Sequence, residues 1–360
     1  FAYVGSDWVF GIAVVTTLLM WQSIRRWPPQ PHPPSRLPAE RLWGGTLAAL
    51  RFARHSELIL AQLLRTMAYS AAGSALWALL PVIGQQQLGT SAAGFGALIG
   101  CLGIGAVGAG LVVSRTRTRF GLEVLVHGGC VIFAAAMAIA AWSRWHALVY
   151  VALVAGGGAW MSVMSTFNTA TQTSAPPWVR SRAAALHALS ALGAFAFGSA
   201  FWGVMSSSFG LQAALTIATL AMLAGMLLAR PFPQRMGQEQ DVTPAAPWED
   251  LFIAHEPDPQ AGPVAVQITY RIRADDATAF LDALSQLRAP RRRDGATFWR
   301  IYRDLGDPSQ YCERFIVTSW SDYLHQRSRA TLADQELEAR VRAFVPEGET
   351  VTMQHYIAER

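Results

Sequence analysis

A guanidinium at Arg65 stands inside the apolar run LILAQLLRTMAYSAAGSALWALL, where a charge is costly unless it meets a carboxylate, an anionic ligand or the headgroup layer. Pairing with an anionic ligand and snorkelling to the inner headgroups are both open readings. Tyr69 and Trp77 follow on the same run. A second run, GGGAWMSVMSTFNTATQTSAPPWVRSR, sets Trp160, Ser162, Ser165, Asn168 and Gln172 along one helical stripe. Such a stripe can line a path for an amphiphilic molecule or hydrogen-bond neighbouring helices. We take Arg65, Tyr69, Trp77, Trp160, Ser165, Asn168 and Gln172 as substrate-path candidates. Asp7 could titrate within its apolar run or sit at the outer interface, and His127 and His187 read as packing residues.

Near the end of the chain, Trp299, Trp320 and His325, with Tyr302 and Tyr323, could form an apolar pocket holding one titratable group. Core packing explains most of the same aromatics. No CxxC pair, HExxH, GxSxG or GxxxxGK[ST] occurs, so zinc hydrolysis, serine hydrolysis and ATP-driven chemistry lack support. Cys101, Cys130 and Cys312 have neither pairing logic nor metal spacing and read as free thiols. No cofactor and no metal is implied.

The elements that position these residues are bilayer-length helices. Six apolar stretches run from about Leu58 to Leu80, Ala92 to Val113, Val124 to Trp142, Ala147 to Ala170, Ala183 to Met205 and Leu211 to Ala229. A further one covers about Phe1 to Trp21. Alternate connections hold nearly all the arginines outside them, at Gln22 to Glu57, Ser114 to Gly121, Ser174 to Arg182 and beyond Ala229, whereas the intervening loops hold only Arg144. Arginine resists translocation, so the arginine-rich set and the C-terminal tail belong to the cytoplasm. Within that set, Arg115, Arg117, Arg180 and Arg182 flank spans and are candidates for an inner gate.

A chain that is 52% hydrophobic and 15% charged is too apolar for an ordinary soluble protein of 360 residues. The net charge of +5 is carried by inner-loop and tail arginines, so it calls for no nucleic acid, and the complete lack of lysine points to a GC-rich bacterial genome. The chain opens at Phe1 directly in an apolar run, with no charged n-region or cleavage site, which reads as the later part of a longer protein and not as a signal peptide.

Residues 1–22 therefore form one span, and 23–57 a cytoplasmic segment. Prolines break that segment before an amphipathic helix from Glu40 to His55, with Trp43, Leu47 and Leu50 on one side. The helix could lie on the membrane or pack on its own protein. Residues 58–230 make a six-helix bundle in which the glycine-rich stretch FGALIGCLGIGAVGAG predicts a packed interior helix. Pro231 to Gly262 lacks the apolar content to fold alone and reads as a linker. From residue 263 to 360 the pattern is strand at Val264 to Arg273, helix at Ala277 to Leu287, strands near Ala296 and up to Trp320, helix at Ser321 to Phe344, and a last strand at Val351 to Ile357. That order is β-α-β-β-α-β. The predicted fold is an all-α multi-span membrane bundle followed by a cytosolic α+β ferredoxin-like domain.

Trp160, Asn168, Gln172, Pro177, Trp178, Val179, Arg180 and Arg182, with ALWALLPVIGQQQLGTSAAGFGALIG, GAVGAGLVVSRTRTRFG and FIVTSWSDYLHQRSRAT, resemble the C-terminal half of a major facilitator superfamily transporter. The resemblance is to its transmembrane secretion effector branch, to which enterobactin-exporter-like proteins are similar, and it covers essentially the whole chain. It implies that the spans are helices six to twelve of a twelve-helix fold and that the proline-rich segment is the central cytoplasmic loop. Gly110, Arg115, Arg117 and Arg119 match the superfamily's loop motif, with Ser114 where an aspartate is expected. The tail resembles antibiotic-biosynthesis-type monooxygenase domains, with Tyr323 and Arg327 where that pattern favours histidines.

The function this resemblance implies is secondary transport by alternating access in a bacterial inner membrane, as proton-coupled export of a small amphiphile such as a siderophore, drug or secondary metabolite. The partners implied are that small molecule, the lipid bilayer and a second copy through the C-terminal domain. The alternatives are a membrane-tethered monooxygenase, or a carrier with a non-catalytic dimerising or sensing tail.

Overall fold

The computed structural model describes residues 6–28, 42–229, 231–232, 235–245, 253 and 255–359. The expectations that fall on Phe1, Arg36, Arg41, Arg230 and linker residues 246–252 lie outside the described residues, as does the side chain of Asp7. The chain divides into two compact units, one of residues 1–36, 67–166 and 192–230, the other of residues 37–66, 167–191 and 231–360.

The helices are α1 (Ser6–Arg25), α2 (Leu42–His55), α3 (Glu57–Val82), α4 (Ala92–Phe120), α5 (Leu122–Trp142), α6 (His146–Thr173), α7 (Arg180–Phe209) and α8 (Leu211–Leu228). Six of the stretches they cover, all from Glu57 onward, are long and apolar enough to cross a membrane. The apolar part of α1, Phe10–Arg25, is shorter.

α3 ends in a π-helical turn, Ile83–Gln87, closed by the Leu88 amide donating to the Ile83 carbonyl at 3.1 Å. Pro81 sits just before it inside α3 and has no amide to continue the ladder. The arginines expected in a loop from Ser114 to Gly121 instead ride the last turns of α4, because Gly121 alone makes the connection to α5 at φ +80°. Thr116 and Thr118 bond back to the carbonyls of Val112 and Ser114 and so remain compatible with helix there.

The glycine-rich α4 is not packed all round, contrary to expectation. Gly96, Gly100, Gly103, Gly108 and Gly110 have open space where a side chain would stand. Only one face, with Leu98, Leu102, Gly105 and Val113, is buried. At Gly105 the backbone of α6 comes so near that a Cβ would lie 1.8 Å from the Val154 carbonyl oxygen, and a Cβ on Gly157 of α6 would lie 2.0 Å from that of Leu102. Small residues are needed at this crossing and nowhere else along the stripe.

In the second unit, α2 buries Gly45, Ala48, Ala49, Phe52 and Ala53. Ala49, Phe52 and Ala53 join Ile59, Ala175, Val179 and Ala183 in a small core. The apolar side made by Trp43, Leu47 and Leu50 is exposed. The helix thus packs through Phe52 and the small residues beside it and leaves its bulkier apolar side uncovered.

The rest of this unit starts with a short helix, α9 (Glu239–Val242), and a bridge between Pro244 and Thr331, so part of the presumed linker is structured. Then come β1 (Val264–Arg271), α10 (Ala277–Gln286), α11 (Arg288–Asp294), β2 (Phe298–Arg303), β3 (Gln310–Val317), α12 (Trp320–Arg329), α13 (Leu332–Arg342) and β4 (Thr352–Ile357). All neighbouring strands are antiparallel, in the order β2-β3-β1-β4. Val264, Val266, Ile268 and Tyr270 pair with Val317, Phe315, Glu313 and Tyr311, and strand alternation turns all of them toward the helices.

The single helix expected over Ser321 to Phe344 breaks at Ala330. Thr331 starts α13 in a capping box, its amide and hydroxyl both donating to Asp334 Oδ2 at 2.8 and 2.9 Å.

Candidate functional site

Three substrate-path candidates come together in the first unit. Tyr69, Gly73 and Trp77 recur every four residues and share one face of α3. Trp160 of α6 stacks on Tyr69 at 5.1 Å between ring centroids and meets Trp77 edge-on at 6.1 Å. Phe133 of α5 and Phe195 of α7 complete the nest at 5.4 and 6.1 Å from Trp160. Gly73 makes room for it, since a Cβ there would lie 2.4 Å from Trp160 Cζ3. The Trp77 indole N–H is buried and has no hydrogen-bond partner among the described residues. A cluster of aromatic faces with an unused donor suits contact with a molecule that is apolar in its body and carries an acceptor. Ser165 turns its hydroxyl back onto the Ser162 carbonyl at 3.2 Å.

The second unit holds the other polar candidates. Arg65 is buried and its Nη2 donates to the Phe232 carbonyl at 2.5 Å. Gln172 Nε2 donates to Asn168 Oδ1 at 2.9 Å on an exposed face of α6. Close by in sequence, His187 lies buried with the hydroxyls of Thr66 and Thr171 at 3.4 and 3.5 Å from Nδ1. His187 is therefore a helix-to-helix contact with polar neighbours. Of the gate candidates, Arg115 and Arg117 belong to the first unit and Arg180 and Arg182 to the second. Arg180 Nε donates to the Ala175 carbonyl at 3.2 Å and closes the loop that joins α6 to α7.

In the tail, Trp299 and Trp320 are core residues, and His325 is buried on α12. A cavity of this domain, about 30 Å³, is lined by other residues, among them Arg291, Asp294, Tyr323, Arg327, Asp334 and Glu338. That volume admits little more than water. Charge pairing fills the surroundings. Arg291 bonds Glu313 at 3.0 Å and Glu338 at 2.8 Å, Arg293 bonds Asp294 at 2.9 Å and Asp334 at 2.5 Å, and Trp299 Nε1 donates to Glu313 at 2.8 Å. Burial opposes the charge on Arg291, yet Glu313 and Glu338 outweigh it and hold the guanidinium above its ordinary pKa. Burial likewise pushes the Asp294 and Glu338 carboxyls up, with the arginines pulling the other way.

Tyr323 and His355 share a 2.6 Å hydrogen bond. Burial, and then Arg327, lower the His355 pKa. Between its folded and unfolded values the folded protein binds fewer protons, so stability rises with pH across that window. Stability contributed by neutral His355 is complete above about pH 6.5 and lost as pH falls through the lowered value. The thermal midpoint of the tail should accordingly drop on acidification from about pH 7 to about pH 5, and less steeply in His355→Gln. Equal slopes in both proteins would remove His355 as the cause.

Several participants had weak sequence signals. Phe133, Phe195 and Gly73 look like ordinary span residues, and only contact with Trp160 gives them meaning. The T-x-x-D signature at Thr331 was available as a helix start. No group of three or more His, Cys, Asp or Glu among the described residues could hold a metal ion.

The profile of the transmembrane secretion effector family matches residues 1–360. No curated protein matches the chain.

Proposed function

Since the chain belongs to the transmembrane secretion effectors of the major facilitator superfamily, and is thus a membrane transporter, we propose that it exports small amphiphilic molecules by alternating access, driven by protons. The observation that carries the cargo class is the nest of Tyr69, Trp77 and Trp160, where the Trp77 N–H awaits an acceptor. Arg65, Ser165, Asn168 and Gln172 complete the path, with Arg65 providing the attraction for an anionic group. Arg115, Arg117, Arg180 and Arg182 form the inner gate, on the cytoplasmic side of a bacterial inner membrane together with the tail.

We read the tail as a ferredoxin-like sandwich that does not itself catalyse. Its β-α-β-β-α-β order and the sheet order β2-β3-β1-β4 support the fold. The ion pairs that occupy its polar interior support a structural use of those groups. Phe298, Tyr302, Ile316 and Tyr356 alternate onto the sheet face opposite the helical core, and this is the face through which two copies would pair.

Efflux of amphiphilic dyes from cells, with the proton gradient intact or collapsed by an ionophore, tests the reading. Trp77→Phe keeps the ring and removes the donor. It should raise the apparent KM for acceptor-bearing dyes about tenfold and leave acceptor-free dyes unchanged. Wild-type efflux by both Trp77→Phe and Trp160→Phe would remove the nest from the path.

A further inference from the structure

The loop between α6 and α7, Ser174 to Val179, is held by residues far away in the chain. Trp178 meets Phe52 of α2 edge to face, with ring centroids 5.5 Å apart and planes at 88°. The guanidinium carbon of Arg329, at the end of α12, lies over the Trp178 ring at 4.3 Å from its centroid. Arg293 of α11 lies over Phe52 at 5.7 Å. Arg51 of α2 donates to the Gly295 carbonyl at 3.4 Å. All of these residues belong to the second unit.

The arrangement is built and not incidental. Arg329 is buried, and its Nη1 donates to the Asp294 carbonyl at 2.9 Å, which aims the guanidinium at the indole face. Arg293 is fixed in turn by the carboxylates of Asp294 and Asp334. Two guanidiniums, Arg293 and Arg329, lie over two aromatic rings with Arg51 near Arg329, an association that would be repulsive without the π faces and the Asp294 and Asp334 carboxylates. Ala175 and Val179 share a small core with Phe52, against which Trp178 packs, and Arg180 closes the loop through the Ala175 carbonyl.

The geometry points to a clamp: the tail domain grips the α6–α7 loop through Arg329 on Trp178 and Arg293 on Phe52, and so sets the position of Arg180 and Arg182. Trp178 and Arg329 are positioning residues for transport, acting through the loop and not on the cargo. The inference rests on reading Arg180 and Arg182 as part of the inner gate. Movement of these helix ends during transport then requires the cation–π stack to slip or break, which couples the tail to the transport cycle.

Hydrogen exchange and efflux kinetics on the full chain test it together. Arg329→Ala and Trp178→Leu, which disturb opposite sides of the contact, should each speed amide exchange at residues 174–182 about tenfold. The double variant should be no faster than either single one, and Arg329→Lys should recover part of the protection. Exchange in β1 and β3, read in the same samples, reports whether the tail is still folded. Turnover of efflux should change in step with the loop while the apparent KM stays as in the wild type. Unaltered exchange at 174–182 in both variants overturns the clamp. Faster exchange with wild-type turnover overturns its link to the gate, leaving the transport reading to stand or fall on Trp77 and Trp160.

Discussion

Replacing Gly105 by leucine should prevent α4 and α6 from packing and cost on the order of 3 kcal/mol or more. The first added carbon would stand 1.8 Å from the Val154 carbonyl oxygen, and the obstacle is backbone, which cannot rotate away. Two helices held this closely must separate along their length, losing the dispersion contacts that hold helices together where lipid removes the hydrophobic drive. Gly108→Leu supplies the control. It lies one turn away on the same helix, with nothing within 4 Å of its would-be Cβ, and should leave stability within about 0.5 kcal/mol. Size-exclusion profiles and thermal unfolding in detergent would separate the two variants. Equal behaviour would mean that the crossing at Gly105 does not hold the bundle.

Glu313→Ala is expected to destabilise the tail by about 3–5 kcal/mol. Glu313 is fully buried, because strand alternation on β3 directs it to the same side as Tyr311 and Phe315. There it accepts from Arg291 at 3.0 Å, Trp299 Nε1 at 2.8 Å and Tyr270 Oη at 3.3 Å. Removing the carboxylate takes one of its charge partners from the buried Arg291 guanidinium and leaves the indole and phenol without the acceptor they share. Burial and then Glu313 hold the Tyr270 phenol well above its ordinary pKa, so the phenol remains a donor at any working pH. The exposed pair Arg271 and Asp307, 3.0 Å apart, is the comparison: Asp307→Ala should cost little, since solvent screens it. Amide exchange of β1 and β3 in the full chain measures both. A Glu313→Ala tail as protected as the Asp307→Ala tail would show that the buried network adds nothing.

Hydropathy and charge run along the chain, so the helices from Glu57 to Leu228 could be read to within a few residues. The four strands could be read in the same way, because period-two alternation is local. Boundaries failed where a local signal was ambiguous. The arginines at 115, 117 and 119 look like loop residues yet extend α4, since long side chains reach outward from a helix as readily as from a loop. The run RAPRRRD around α11 offers no apolar period, and it is helical because Arg291 and Arg293 find buried carboxylates on β3 and α13.

The candidate site was legible as a set of residue types and not as a place. Trp160, Tyr69 and Trp77 could be chosen because bulky aromatics and polar groups are unusual in spans, but Phe133 and Phe195 have ordinary neighbours and no such mark. For the amphipathic helix α2 the sequence left open whether it lies on the membrane or packs on its own protein; contacts distant in the chain bury Ala49, Phe52 and Ala53 and leave Trp43, Leu47 and Leu50 exposed.

By itself the sequence determined that hydrocarbon-length helices precede an α+β tail, and it put the arginines at alternate helix ends, because those properties depend on neighbours within a turn or two. Only the tertiary structure decided which glycine of α4 bears a contact, where Glu313 finds its partners and that Arg329 covers Trp178. Each of these joins residues far apart in the chain, and complementary shape and charge at such distances leave no period in a sequence.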